Sequence, residues 1–206
     1  MPIIKFSQFI LENKKMEMSI PNDILNIYQA YKEAGKSLYV VGGAVRDFIQ
    51  GKIPHDYDLV TNATIEESEK ILKNFNVSGE QGKNFGVLRI YTEDCPEGYE
   101  VAAFRKDISK GRDTKGDEQK VEIGHHITIE GDVKRRDLTI NALFYDIGKK
   151  EIVDLVGGVD DIKNNVIRAV GNPQQRFDED ALRKIRCIRF CARNKATIDS
   201  ETSKAL

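Results

Sequence analysis

The sequence predicts a mixed α/β fold of the α+β kind, with a mixed β-sheet flanked by helices that leads into a helical segment at its C-terminal end. Short apolar strand patterns alternate with amphipathic helical patterns over residues 21–170, and a longer helical pattern occupies residues 178–193. The composition is that of an ordinary globular chain: 206 residues, 40% hydrophobic and 32% charged. That length suffices to bury a core.

Along the chain, residues 1–19 carry weak helical periodicity and read as an appendage. Residues 21–34 form an amphipathic helix on Ile24, Leu25, Tyr28 and Tyr31, with Pro21 at its start and Gly35 beyond its end. A buried strand over 38–41 enters Gly42-Gly43, a short helix covers 45–50, and 56–61 alternates as a strand. Residues 65–75 are helical, capped by Asn62 or Thr64, with Glu66 and Glu67 in the first turn. Strands follow at 86–91 and 99–104, joined through Cys95-Pro96-Glu97-Gly98. The charged stretch 106–120 has almost no apolar residues and is expected to be a mobile loop. Further on, 132–136 is helical, 139–145 extended, 152–155 and 166–170 short strands, and 160–164 a helical turn. The helix over 178–193 has Leu182, Ile185, Ile188 and Phe190 among its apolar positions.

Charge and cysteine content narrow the function classes. Lysine plus arginine number 32 against 33 acidic residues, a net charge of −1, so any nucleic-acid contact must come from local clusters. The three cysteines, an odd number, make no disulfide framework and lack zinc spacing, and they read as reduced core residues. No apolar run approaches ~18 residues, so no membrane span is expected. With no secretory leader pattern at residues 1–15, the expected location is cytoplasmic.

Two local patterns carry chemistry. Gly42-Gly43-Ala44-Val45-Arg46-Asp47 follows a strand and opens a helix; two glycines there let backbone N–H groups approach a phosphate, which Arg46 could clamp. Taken alone, the pattern is equally that of a tight turn. Asp56 and Asp58 stand two apart on the expected strand and so share a face, where adjacent negative charges call for a cation between them. Oxygen ligands favour magnesium, and Glu100, opening the strand at 99–104, offers a third carboxylate. Three carboxylates on two strands could hold two magnesium ions, one at the attacking hydroxyl and one at the triphosphate. The bland readings are a solvated strand for Asp56 and Asp58 and an edge charge for Glu100.

Gly42-Gly43-Ala44-Val45-Arg46-Asp47 followed by Asp56-Tyr57-Asp58 resembles the first motif of the class II CCA-adding enzymes and bacterial poly(A) polymerases, in the polymerase-β-like nucleotidyltransferase superfamily. Arg135-Arg136-Asp137-Leu138-Thr139-Ile140-Asn141-Ala142 is similar to the second motif, and residues 154–161 with Gly157-Gly158 to the third. Glu179-Asp180-Ala181-Leu182-Arg183, continuing through Arg186 and Arg189-Phe190, is similar to the fourth. The resemblance implies a nucleotidyltransferase head over 21–150 and the start of a helical neck over 151–206, with the family's body and tail regions expected to be absent from this sequence. It implies Asp56 and Asp58 as metal ligands, with Glu100 the third catalytic carboxylate. Gly42, Gly43, Arg46, Arg136 and Asn141 would bind the nucleotide. Glu179 would orient Arg183, and Asp180 and Arg183 would read the edge of cytosine or adenine in place of a template base. The Asp–Arg pairing suits that task, because arginine only donates and aspartate only accepts. Arg186 and Arg189 extend the same helical face towards triphosphate or RNA backbone.

The implied activity is template-independent addition of CCA to the 3′ end of tRNA from CTP and ATP, with two Mg2+ ions. Poly(A) addition by the same machinery is the nearest alternative, and an RNA-binding remnant without catalysis an alternative of another class. The segment Gly82-Lys83-Asn84-Phe85-Gly86-Val87 favours the tRNA form. The 106–120 stretch departs from the family's aromatic and histidine-proline pattern, keeping Asp107, Arg112 and Asp113. An unfinished helical end is expected to expose apolar surface to a partner chain supplying the body.

Overall fold

The computed structural model describes residues 17–78, 86–107, 121–123 and 127–206. Helix α1 (Asn22–Glu33) starts after Pro21, with Asp23 in its first turn and Lys32 in its last, both favourable to the helix dipole. It buries Ile24, Ile27 and Tyr31. Leu25, expected on the apolar face, is exposed, since it sits about 100° round the helix from Ile24. Strand β1 (Leu38–Val41) has the predicted bounds and enters α2 (Gly43–Ile49). After β2 (Asp58–Thr61) comes α3 (Ile65–Ile71), where Thr64 and Glu67 form a reciprocal capping box, so Thr64 rather than Asn62 is the cap.

Strands β3 (Asn76–Ser78), β4 (Val87–Tyr91) and β5 (Tyr99–Ala103) follow. Next, β6 (Arg105–Asp107) pairs antiparallel with β7 (Val121–Ile123). Residues 106 and 107 are therefore strand rather than loop; residues 108–120 of the expected loop, like 1–16 of the expected appendage, lie outside the described residues. Helix α4 (Ile129–Arg135) leads to a 3-10 turn (Thr139–Asn141) and β8 (Leu143–Asp146), so the stretch 139–145 is not extended throughout. A buried hydrogen bond explains the turn: Thr139 Oγ1 donates to Asp161 Oδ2 at 2.6 Å, and Asn141 N closes back onto Leu138 O at 3.0 Å.

Strand β9 (Glu151–Asp154) ends the main sheet, a few residues past the boundary expected at 150. Helix α5 (Gly158–Lys163), β10 (Val166–Ile167), α6 (Pro173–Glu179), α7 (Leu182–Asn194), β11 (Thr197–Ile198) and α8 (Ser200–Ala205) complete the chain. The strand expected over 166–170 is thus shortened to two residues, and the helix expected over 178–193 is broken at Asp180.

The seven strands of the main sheet run in the order β3-β4-β5-β2-β1-β8-β9. β2 and β5 are parallel and the other neighbours antiparallel, which makes the sheet mixed. On one face Val40, Leu59, Val101 and Tyr145 pack under α1, α2 and α3 through Ile24, Val45 and Ile65. On the other, Val41, Val60 and Phe144 pack with Val133 of α4. A third cluster joins Leu138 and Ile140 to Phe177, Cys187 and Phe190, fastening the C-terminal helices to the segment after α4. Of the cysteines only Cys187 is fully buried, and burial pushes its thiol up to about 11; Cys95 and Cys191 are half-buried. Leu182, Ile185 and Ile188 of α7 are exposed by 65%, 63% and 55%, an apolar stripe open to solvent.

Candidate active site

The end of β1 builds the first half of the site. Gly42 has φ +67°, in the left-handed region that favours glycine, and its N–H donates to Leu143 O at 3.0 Å. Arg46, one turn into α2, donates to Asn141 Oδ1 at 2.7 Å and to Asp47 Oδ1 at 2.9 and 3.1 Å. Its guanidinium also lies over the Phe190 ring, 5.2 Å from the centroid, a favourable cation–π contact. Arg136, just beyond α4, donates to Asn141 O at 3.3 Å and stacks over Phe144 at 4.8 Å. A Cβ on Gly42 would lie 3.8 Å from both Arg136 Nη1 and Asn141 O. Gly42, Gly43, Arg46, Arg136 and Asn141 therefore come together as the sequence predicts. Asn141 is buried, yet its Nδ2 has no partner among the described residues. A buried donor left so costs about 1–3 kcal/mol, and it marks a place built to meet an acceptor.

The carboxylates occupy the adjacent strand ends. Asp58 opens β2 opposite Val41, and Asp56 lies before the strand. Asp56 falls just outside the paired ladder, because β2 begins two residues later than its alternation suggests. Parallel pairing of Leu59 with Val101 sets Asp58 and Glu100 at corresponding positions, one residue earlier on each strand. Asp58 reaches the surface, yet the surrounding protein withholds enough water to hold its carboxyl above the usual aspartate range. Glu100 and Asp56 push the same way, and Arg136 opposes them. Asp58 thus stands within electrostatic reach of Glu100, Asp56 and Arg136.

Glu100 is ion-paired with Arg89, its cross-strand partner on β4. That pairing draws it aside, and among the described residues no three histidine, cysteine, aspartate or glutamate side chains form a ready metal cage. The donor set is nonetheless all oxygen and mutually repulsive at Asp58, which suits a hard divalent cation.

The second half lies on α6 and α7. Arg183 is buried and donates to Glu179 Oε2 at 2.7 Å and to Arg176 O at 3.1 Å; Glu179 also pairs with Arg176 at 2.9 Å. The expected single helix face carrying Asp180 and Arg183 is not present. Asp180 is extended, with φ −156°, and its side chain accepts the Leu182 N–H at 2.9 Å, which starts α7 afresh. Arg186 is tied to Asp137 at 2.6 Å, and Arg189 is exposed beside the Phe190 ring at 5.5 Å. Phe190 thus joins Arg46 to the arginine-bearing helix.

Sequence reasoning missed Asp132, Arg105, Arg89 and the ring contacts of Phe144 and Phe190. Asp132 and Arg105 stand next to residues that were singled out, but nothing in their spacing announces burial.

Comparison with known proteins follows the same outline. Residues 38–168 match the family model described as the poly A polymerase head domain. A CCA-adding enzyme from Ligilactobacillus salivarius is 40% identical over 191 residues, covering 91% of this chain and 45% of that protein. Poly(A) polymerase I from Salmonella typhi is 34% identical over 212 residues, covering 100% of this chain and 44% of that protein. The crystal structure of the Bacillus stearothermophilus CCA-adding enzyme in complex with CTP superposes with a TM-score of 0.76 at 33% identity, covering 91% of this chain and 43% of that one. The chain spans less than half the length of each of these proteins. With residues 38–168 matched by that model, the chain belongs to the poly A polymerase head-domain family.

Proposed function

We propose that the chain is the catalytic part of a tRNA nucleotidyltransferase that adds C and A residues to tRNA 3′ ends from CTP and ATP. The observation that carries this reading is the convergence of Arg46, Arg136 and Asn141 beside the Asp56, Asp58 and Glu100 carboxylates. In that reaction the RNA 3′-hydroxyl oxygen attacks the α-phosphorus in line, the bond to the bridging oxygen breaks, and pyrophosphate leaves.

The residues divide the work by chemistry. Gly42 and Gly43 let the triphosphate approach the backbone, and Arg46 and Arg136 donate to its oxygens. The unpartnered Asn141 Nδ2 donates to the nucleotide sugar. Asp180 and Arg183 offer acceptors and donors to the base edge, with Glu179 holding Arg183 in place. Arg186 and Arg189 face the triphosphate or the RNA backbone. Asp56 and Asp58, with Glu100 released from Arg89, would hold two Mg2+ ions, which when bound offset the charge of the triphosphate and leaving pyrophosphate.

In this reading residues 21–150 are the head and 151–206 the start of the neck. The exposed stripe of Leu182, Ile185 and Ile188 takes a helical body segment, in the same protein or a partner chain. No helix among the described residues is long and apolar enough to cross a membrane, and the reading places the protein in the cytoplasm with its RNA.

A poly(A) polymerase is the second reading, favoured by the Salmonella relative that spans the whole chain. Incubation with Mg2+, labelled nucleotide and tRNA lacking its CCA end separates the two. Addition of two C and one A supports the tRNA reading, and long A tails replace it with the second. Nucleotide binding with no extension of either RNA leaves a binding remnant.

A further inference from the structure

We infer that Asp132 is a positioning residue that aims Arg136 at the nucleotide and ties it to the start of β6, just past the strand carrying Glu100. The inference rests on the reading of Arg136 as a nucleotide contact. Asp132 is only 2% exposed, in the first turn of α4, and a buried carboxylate is tolerated only when its charge and lone pairs are matched. Both oxygens are matched, and by different elements. Oδ2 accepts Nε and Nη2 of Arg136 at 3.0 and 2.9 Å. Oδ1 accepts the backbone N–H of Arg105 at 3.2 Å, two residues beyond the end of β5.

The consequence is a fixed guanidinium plane. Arg136 lies past the helix end with extended backbone, ψ 158°, so α4 itself does not restrain its side chain. Asp132 grips one edge of the fork, the Phe144 ring covers a face at 4.8 Å, and Asn141 O takes Nη1 at 3.3 Å. The Nη1 end lies beside Gly42, 3.8 Å from where a Cβ there would stand, and the guanidinium is within electrostatic reach of Asp58. A planar fork held on one edge is an arrangement lysine cannot reproduce.

Asp132 also balances a crowd of positive charge. Burial, then the neighbouring Arg135 and Arg136, hold Arg105 below the usual arginine value, while Asp132 opposes them. Charge balance alone would not require Asp132 to bridge Arg136 and the Arg105 backbone. The bridge fixes Arg136 against the start of β6, two residues past the strand of the third carboxylate.

The test is the Kd of CTP and of ATP, measured with Mg2+ for the wild-type chain, R136A, D132N, D132E and the double variant D132N/R136A. Thermal unfolding alongside identifies any variant that does not fold. R136A is expected to weaken binding about tenfold, the loss of one charged hydrogen bond. D132N is expected to match it for both nucleotides, and the double variant to be no worse than R136A alone. D132E keeps the charge but moves the fork by a methylene, and it is expected to lose binding while folding normally, so it decides the matter where D132N fails to fold. If R136A binds normally, the nucleotide role of Arg136 falls and the inference with it. If R136A is weakened while D132N and D132E are not, or if the two losses multiply in the double variant, the positioning role alone is overturned.

Discussion

Asp58 is where the chemistry and the stability of the site pull against each other. Burial, with Glu100 and Asp56 nearby, favours its neutral form, so the folded chain holds that proton to higher pH than the unfolded chain does. Between the ordinary aspartate value, about 3.9, and the raised folded value, the native state carries more protons. Stability therefore falls as pH rises through that window and stays lower above it. D58N removes this penalty. In EDTA at neutral pH it is expected to unfold at a higher temperature than wild type, with the difference vanishing at pH below the aspartate range. Mg2+ is expected to raise the unfolding temperature of the wild type and not of D58N. At the base-reading end, E179Q weakens the ion pair that holds Arg183, and R183A removes the donor. Both are expected to lower the preference for CTP and ATP over UTP and GTP by roughly tenfold, the worth of a charged hydrogen bond, in single-addition assays. The contacts among the motif residues were only partly legible in the sequence. Glu179 meets Arg183 as the motif suggests, whereas Asp180 left its expected helix face because its own carboxylate caps the next helix.

At the scale of elements, the joint between Thr139 and Gly158 holds Asn141 in place. A Cβ on Gly158 would stand 2.3 Å from Thr139 O and 2.9 Å from Thr139 C, backbone atoms that cannot swing away. G158A is expected to destabilise the fold by about 1–3 kcal/mol through overpacking, read by denaturant titration. It is also expected to weaken CTP binding, because the 3-10 turn that must shift carries Asn141. Elements specified by local pattern, such as β1 and the Thr64-capped α3, were readable from the chain. The 3-10 turn and the pairing of β6 with β7 were not, since each depends on a partner distant in sequence: Asp161 for the turn, residues 121–123 for the strand.

Across the whole molecule, the main sheet presents two covered faces, and the nucleotide and carboxylate groups gather where β1, β2 and β5 meet α2 and α4. The apolar stripe on α7 is left uncovered by the described residues, and exposed apolar patches mark interaction surfaces. Binding of an apolar fluorescent dye by the 206-residue chain is expected to fall sharply in I185Q/I188Q. The proposed nucleotidyl transfer depends on Asp56 and Asp58 as the metal ligands. Its most direct test is the 3′ extension of labelled RNA in Mg2+ by wild type and by the D56A/D58A double variant. Extension by wild type with a loss on the order of a thousandfold or more in the variant, its fold intact, is the expected result. Extension by the variant at the wild-type rate would contradict the account.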